Sequence, residues 1–149
     1  MKYLIPVAAL ILAAQAAAQP AERAKAAALV QEAIALAKSG GKDALVKQIN
    51  FGSGRFHVGP GRPLYLFIYD GTGKCQAHGA DSVFIGTNRL GVKDPDGTPY
   101  IAQIAKLAQT GGKGWVDYKF INPADGKLAP KTSYVETFEG WAVCCGVYK

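Results

Sequence analysis

The residues best equipped for chemistry in this chain are a scattered set of hydrogen-bond donors. His78 closes the short run Cys75-Gln76-Ala77-His78, Lys93 lies among turn residues, and Lys131 leads into Thr132-Ser133-Tyr134. A lysine beside tyrosine and serine hydroxyls suits a carboxylate, because ammonium and hydroxyl groups can all donate to its oxygens. Each residue also has an ordinary reading. Lys131 can be a solvated strand-end charge, His78 a turn histidine with a satisfied ring, and Lys93 a partner of Asp94 or Asp96. His57 sits in a loop with no evident partner.

Other motifs lead away from catalysis and from metals. Gly71-Thr72-Gly73-Lys74 has the wrong glycine spacing for a phosphate loop and is followed by a strand pattern, so it reads as a hairpin turn. Asp94-Pro95-Asp96-Gly97 starts like a calcium loop but lacks the later ligands, and a plain turn fits better. The three cysteines show no C-x-x-C spacing. Cys144 and Cys145 are neighbours, too close for ordinary disulfide geometry, and in a strand they point to opposite faces. Cys75 can pair with either or stay buried and free. With two distant histidines and no nucleophile–base motif, the expectation is a binding protein, not an enzyme, with no cofactor and no metal.

Composition narrows the setting. Met1-Lys2, an apolar run from Tyr3 to Ala14 and Ala16-Ala17-Ala18-Gln19 together describe a secretory signal peptide with cleavage after Ala18. The run falls short of the roughly 18 residues a membrane span needs. The expected organisation is therefore a signal peptide at 1–18 and a single domain at 19–149, exported and without a transmembrane anchor after cleavage. Net charge is +6 for the full chain, and the bases are scattered along it. That favours small anions over nucleic acid.

Elements able to position the candidate residues follow from periodicity. Pro20 to Lys38 carries Leu29, Val30, Ala33, Ile34 and Ala37 at helical spacing, with Pro20 in the first turn and Ser39-Gly40-Gly41 as the stop. Lys42 to Asn50 suggests a second short helix. Gly52 to Pro63 is loop. Leu64 to Tyr69 alternates as a strand, and Cys75 to His78 returns beside it. Thr98 is expected to N-cap a helix with Pro99 in its first position, running to Gly111-Gly112. Three more strands follow between Trp115 and Tyr148, turned at Asn122–Gly126 and at Glu139-Gly140. Runs of strands split by helical insertions predict an α+β domain built on one antiparallel sheet.

The first strand shows how two faces would be used. Its Leu64/Leu66/Ile68 face suits the Ala-rich helix, while Tyr65, Phe67 and Tyr69 face the other way with Tyr118 and Tyr134 on neighbouring strands. Only Gly79 to Gly114 is long enough to cover those rings. An irregular lid over an aromatic, hydroxyl-rich floor predicts a small-molecule cavity. The alternative is that rings and lid pack solidly.

Five phrases occur in order: Leu64-Tyr65-Leu66-Phe67-Ile68-Tyr69-Asp70, Ala77-His78-Gly79, Lys93-Asp94-Pro95-Asp96-Gly97, Gly114-Trp115-Val116-Asp117-Tyr118 and Pro130-Lys131-Thr132-Ser133-Tyr134-Val135. With them the chain resembles a single Cache domain of the second type, the PAS-like extracytoplasmic sensor module of bacterial receptors. The resemblance implies a five-stranded antiparallel sheet with a long N-terminal helix on one face and a lid/helix segment over a ligand pocket on the other. It implies a small organic acid of two to four carbons as ligand, and His78, Lys93, Trp115, Tyr118, Lys131 and Tyr134 as pocket residues. Lys131 and Tyr134 are the first choices for the carboxylate, although strand parity sets them on opposite faces. Because nothing follows the last strand, the expectation is a free-standing periplasmic form that presents its ligand to a membrane receptor or kinase. The alternative is a ligand-independent accessory protein docking on a membrane sensor or redox complex.

Overall fold

In the computed structural model, residues 7–50, 52 and 54–149 are described, with side chains from Gln19 onward. Helix α1 (Val7–Asn50) is two helical segments joined at Gly41, whose φ of 83° and ψ of 170° interrupt the helix. The glycine pair expected as a stop therefore acts as a kink, and the expected second helix follows it directly. Pro20 lies inside α1. The helix-favouring alanine run before it carries the helix upstream, and proline removes only one backbone donor from the ladder. The backbone of 7–18 belongs to α1; residues 1–6 of the expected signal peptide, and the side chains of 7–18, lie outside the described residues.

Five strands form one antiparallel sheet: β1 (Leu66–Asp70), β2 (Cys75–His78), β3 (Lys113–Asn122), β4 (Lys127–Phe138) and β5 (Trp141–Tyr148). Their spatial order is β2-β1-β5-β4-β3. Between β2 and β3 come a 3₁₀ turn (Ser82–Phe84) and helix α2 (Tyr100–Thr110). This is the α+β, PAS-like arrangement expected, with β1 beginning two residues later than the alternation suggested. Thr98 does not cap α2. Its N–H and C=O are bonded to Asp94 across the preceding turn, so Pro99 takes the cap position without a side-chain bond.

Each sheet face has its own core. On one, Ala26, Val30, Ala33, Ile34 and Ala37 of α1 pack against Leu66, Ile68, Val143, Cys145 and Val147. The small residues allow close approach, and each large aliphatic side chain buried there contributes about 1.5–3 kcal/mol. On the other face Tyr65, Phe67, Tyr69, Val116, Tyr118 and Cys144 meet Tyr100, Ile101 and Ile104 of α2. All three cysteines are buried free thiols, and neighbouring Cys144 and Cys145 serve different cores.

Lys131, expected at the entry to its strand, lies well inside β4, paired with Tyr118 of β3 and Tyr148 of β5. Pro130 does not end the strand. Its carbonyl accepts from Lys149 N–H at the end of β5, so its missing N–H falls where the ladder is already finishing.

Candidate functional site

Lys131 is 1% exposed and is surrounded by rings. Its Nζ lies 4.6 Å from the centroid of Tyr65, 4.8 Å from Phe67, 5.1 Å from Phe120, 5.2 Å from Tyr148 and 5.7 Å from Tyr118. Nζ donates to Tyr65 Oη at 2.8 Å. Tyr65 Oη is 3.2 Å from Tyr148 Oη, which in turn donates to the Ile121 carbonyl. Burial lowers the Lys131 pKa to about 7. The cause is desolvation: taking an ammonium out of water without an anion disfavours its charged form.

A glycine makes this position possible. Gly146 lies across from Ser133 on β5, and a Cβ there would overlap the Lys131 Cε and come within 2.5 Å of Ser133 Oγ. The bare backbone is the seat of the lysine stem, and glycine inside a strand commonly marks such a close approach.

His78 on β2 is buried among Phe67, Phe84 and Phe120. Its Nδ1 accepts from Asp81 N–H at 2.9 Å and from Ala80 N–H at 3.3 Å, which leaves Nε2 to carry the proton of the neutral ring. Burial, with Lys131 and Arg89 nearby, pushes its pKa down to about 3, so the ring is neutral in the folded protein. The His78 backbone N–H donates to Asn50 Oδ1 at the end of α1, tying this strand to the helix.

Arg89, from the segment after the 3₁₀ turn, closes the enclosure from the lid side. Its Nη1 donates to Tyr69 Oη at 3.2 Å and its Nη2 to Tyr100 Oη at 3.3 Å, with the guanidinium 4.0 Å above the Phe84 ring. Tyr100 of α2 stacks flat on Tyr118 at 4.3 Å, and Tyr118 Oη shares a hydrogen bond with Ser133 Oγ at 2.9 Å. Lys131, Arg89, His78 and these rings line a cavity of about 10 Å³, room for about one water. Among the described residues, neither cation has a carboxylate partner, and no cluster of metal-ligating side chains is found.

Of the residues expected from sequence, His78, Tyr118 and Lys131 come together here. Trp115 and Tyr134 do not. They pair across β3 and β4 on the α1 face, rings 5.3 Å apart, with Arg23 of α1 4.2 Å above Trp115. The reason is parity, since each lies three positions from the strand residue that faces the cavity. Lys93 is exposed at the rim of the Asp94 turn. Asp94 does not pair with it: its carboxylate accepts from the N–H groups of Asp96, Thr98 and Lys119, while Asp96 pairs with the Lys119 ammonium. Arg89, Tyr100, Phe120, Tyr148 and Gly146 went unnamed as site residues. Phe120 shares Tyr118's parity and was readable; Arg89 sits in a segment without periodicity.

A larger groove of about 650 Å³ lies elsewhere, between residues 58–64, the β3–β4 turn and the end of β5. It is mainly apolar, and it touches the enclosure only through Tyr148 and Gly146.

The family model described as Single Cache domain 2 matches residues 12–149. A sensor histidine kinase, MctS of Rhizobium johnstonii (strain DSM 114642 / LMG 32736 / 3841), is 38% identical over 90 residues, which are 59% of this chain and 19% of that protein. The chain thus spans about a fifth of the length of this curated relative. A methyl-accepting chemotaxis protein from Vibrio parahaemolyticus RIMD 2210633 superposes with a TM-score of 0.74 at 22% identity, over 92% of this chain and 95% of that one. At that identity the likeness concerns the fold alone. A Cache chemosensory domain, described for carboxylic acid recognition, gives a TM-score of 0.66 at 26% identity, over 87% and 95% of the two chains.

Proposed function

The chain belongs to the single Cache domain 2 family of extracytoplasmic ligand-sensing modules, and from that premise we propose that it binds a small organic acid of two to four carbons and reports it to a membrane signalling partner. One observation carries the reading: two cations, Lys131 and Arg89, line one aromatic enclosure without an anion among the described residues. A carboxylate supplies that charge, and the hydroxyls of Tyr69 and Tyr100 and the N–H of His78 stand around it as further donors. The carboxylic acid recognition described for the similar chemosensory domain supports the same ligand class. Admission of such an acid requires the Arg89 segment to move outward, since the cavity holds about one water as it stands.

We further propose export through residues 1–18, with cleavage after Ala18, and a histidine kinase or chemoreceptor as the signalling partner. The sensor histidine kinase relative supports that partner class. The intact mass of protein recovered from the periplasm reads the cleavage directly.

Thermal-shift measurements against acetate, propionate, pyruvate and lactate test the ligand class. Stabilisation of wild type by at least one acid, and loss of that response in Lys131→Met, are expected. No shift with any of them would remove the acid-binding reading. A second reading, ligand-independent docking on a membrane sensor, is favoured by the tightness of the enclosure together with exposed Ile121 and Leu128, paired on the β3–β4 hairpin. It predicts capture of a membrane sensor that is unaffected by added acids and lost when both residues are changed to Ser.

A further inference from the structure

The two cations of the enclosure are chemically unequal. The Arg89 guanidinium is permanently charged and presents five N–H donors, of which two are engaged by Tyr69 and Tyr100. It is suited to hold a carboxylate. Lys131 carries a primary amine in an almost fully buried aromatic setting, with a single hydrogen bond to Tyr65. A desolvated lysine of this kind reaches its neutral form near pH 7, where the nitrogen lone pair is available as a nucleophile. Its stem is fixed against Gly146, so the nitrogen approaches from one direction.

We propose that Lys131 captures α-oxo acids as a reversible covalent imine, the ligand carboxylate resting on Arg89 and its adjacent carbonyl carbon bonded to Lys131 Nζ. This rests on the acid-binding reading above and narrows its ligand class. The neutral amine adds to the carbonyl carbon, and one amine proton passes to the former carbonyl oxygen. With one further proton from solvent that oxygen leaves as water, giving a protonated imine. Nothing is oxidised or reduced. The nitrogen regains a positive charge among the rings of Tyr65, Phe67 and Phe120, which stabilise a cation through their faces. His78, held neutral with Nδ1 occupied, keeps its proton and donates an Nε2–H hydrogen bond to the oxygen during addition. The aromatic walls of the enclosure favour loss of that water. Acids without an oxo group, such as acetate, bind by charge alone.

The test treats the full chain with pyruvate or acetate plus sodium cyanoborohydride near pH 7.5, followed by intact mass and peptide mapping. Expected is one reduced adduct per chain with pyruvate only, on the peptide containing Lys131, suppressed by excess acetate. Arg89→Gln should lower labelling about tenfold, the loss of one charge-assisted contact. Lys131→Arg cannot form the imine and should lose the adduct, its ligand-free melting temperature checking that it folds. Wild-type labelling no greater than that of Lys131→Arg overturns the imine. If acetate still stabilises wild type in that case, only the covalent step is lost; if no acid stabilises it, the acid-binding reading goes too.

Discussion

Replacing Lys131 by methionine is expected to stabilise the ligand-free protein in mild acid. Methionine keeps an unbranched stem over Gly146 and removes the charge. Burial lowers the Lys131 pKa from 10.5 to about 7. At about 1.4 kcal/mol per pH unit, that gap corresponds to roughly 5 kcal/mol of destabilisation wherever the folded lysine is charged. The substitution also loses the bond to Tyr65 and the contacts with the rings, together about 2–3 kcal/mol. A net gain of about 2 kcal/mol should remain at pH 6. Between about pH 7 and 10.5 the unfolded wild-type chain binds more protons than the folded one, so wild-type stability rises through that window. The advantage of the variant should therefore shrink at pH 8 and reverse by pH 10. Urea unfolding of both proteins at the three pH values measures this. A variant less stable by the same margin at all three would refute the reasoning, because it would mean that the lysine carries no desolvation cost.

On the proposed acid-binding reading, the same charge balance governs ligand binding. Acetate needs a protonated Lys131, so above pH 7 its binding should take up one proton and weaken by up to tenfold per pH unit, read by calorimetry in buffers of different ionisation enthalpy. Gly146→Ala should displace the Lys131 stem, cost about 1–3 kcal/mol in unfolding experiments and abolish the acetate thermal shift. Tyr134→Phe and Lys93→Ala should leave acetate affinity within about twofold by titration, since one side chain faces α1 and the other is exposed.

Much of the fold was legible because strands and helices impose short periods. The alternation of Leu66/Ile68 with Tyr65/Phe67/Tyr69 separates the two cores in the sequence itself, and the small residues of α1 indicate which core the helix fills. The same parity explains why Trp115 and Tyr134 stand apart from Tyr118 and Lys131. Arg89 was not legible. It reaches the enclosure through a stretch of turns whose path depends on distant contacts, such as the approach of Leu90 to Gly73, where a Cβ would come within 3.0 Å of the Leu90 backbone. The depth of Lys131 was hidden for another reason. Lysine is rarely buried without a partner, and the glycine that admits it stands on a different strand.

The position of β5 bears on how the molecule assembles. It is the last of the five described strands in sequence, yet it is the central one of the sheet, pairing with β1 on one side and β4 on the other. Leu66 meets Cys145 across a long span of sequence, so the two halves of the sheet cannot join until β5 is in place. Pairing across such a span is slow, because loop closure costs entropy before contacts return it. Until β5 arrives, the β1–β2 and β3–β4 hairpins are separate, marginal units. Insertion of β5 between β1 and β4 is therefore the step that joins the hairpins and completes both cores together.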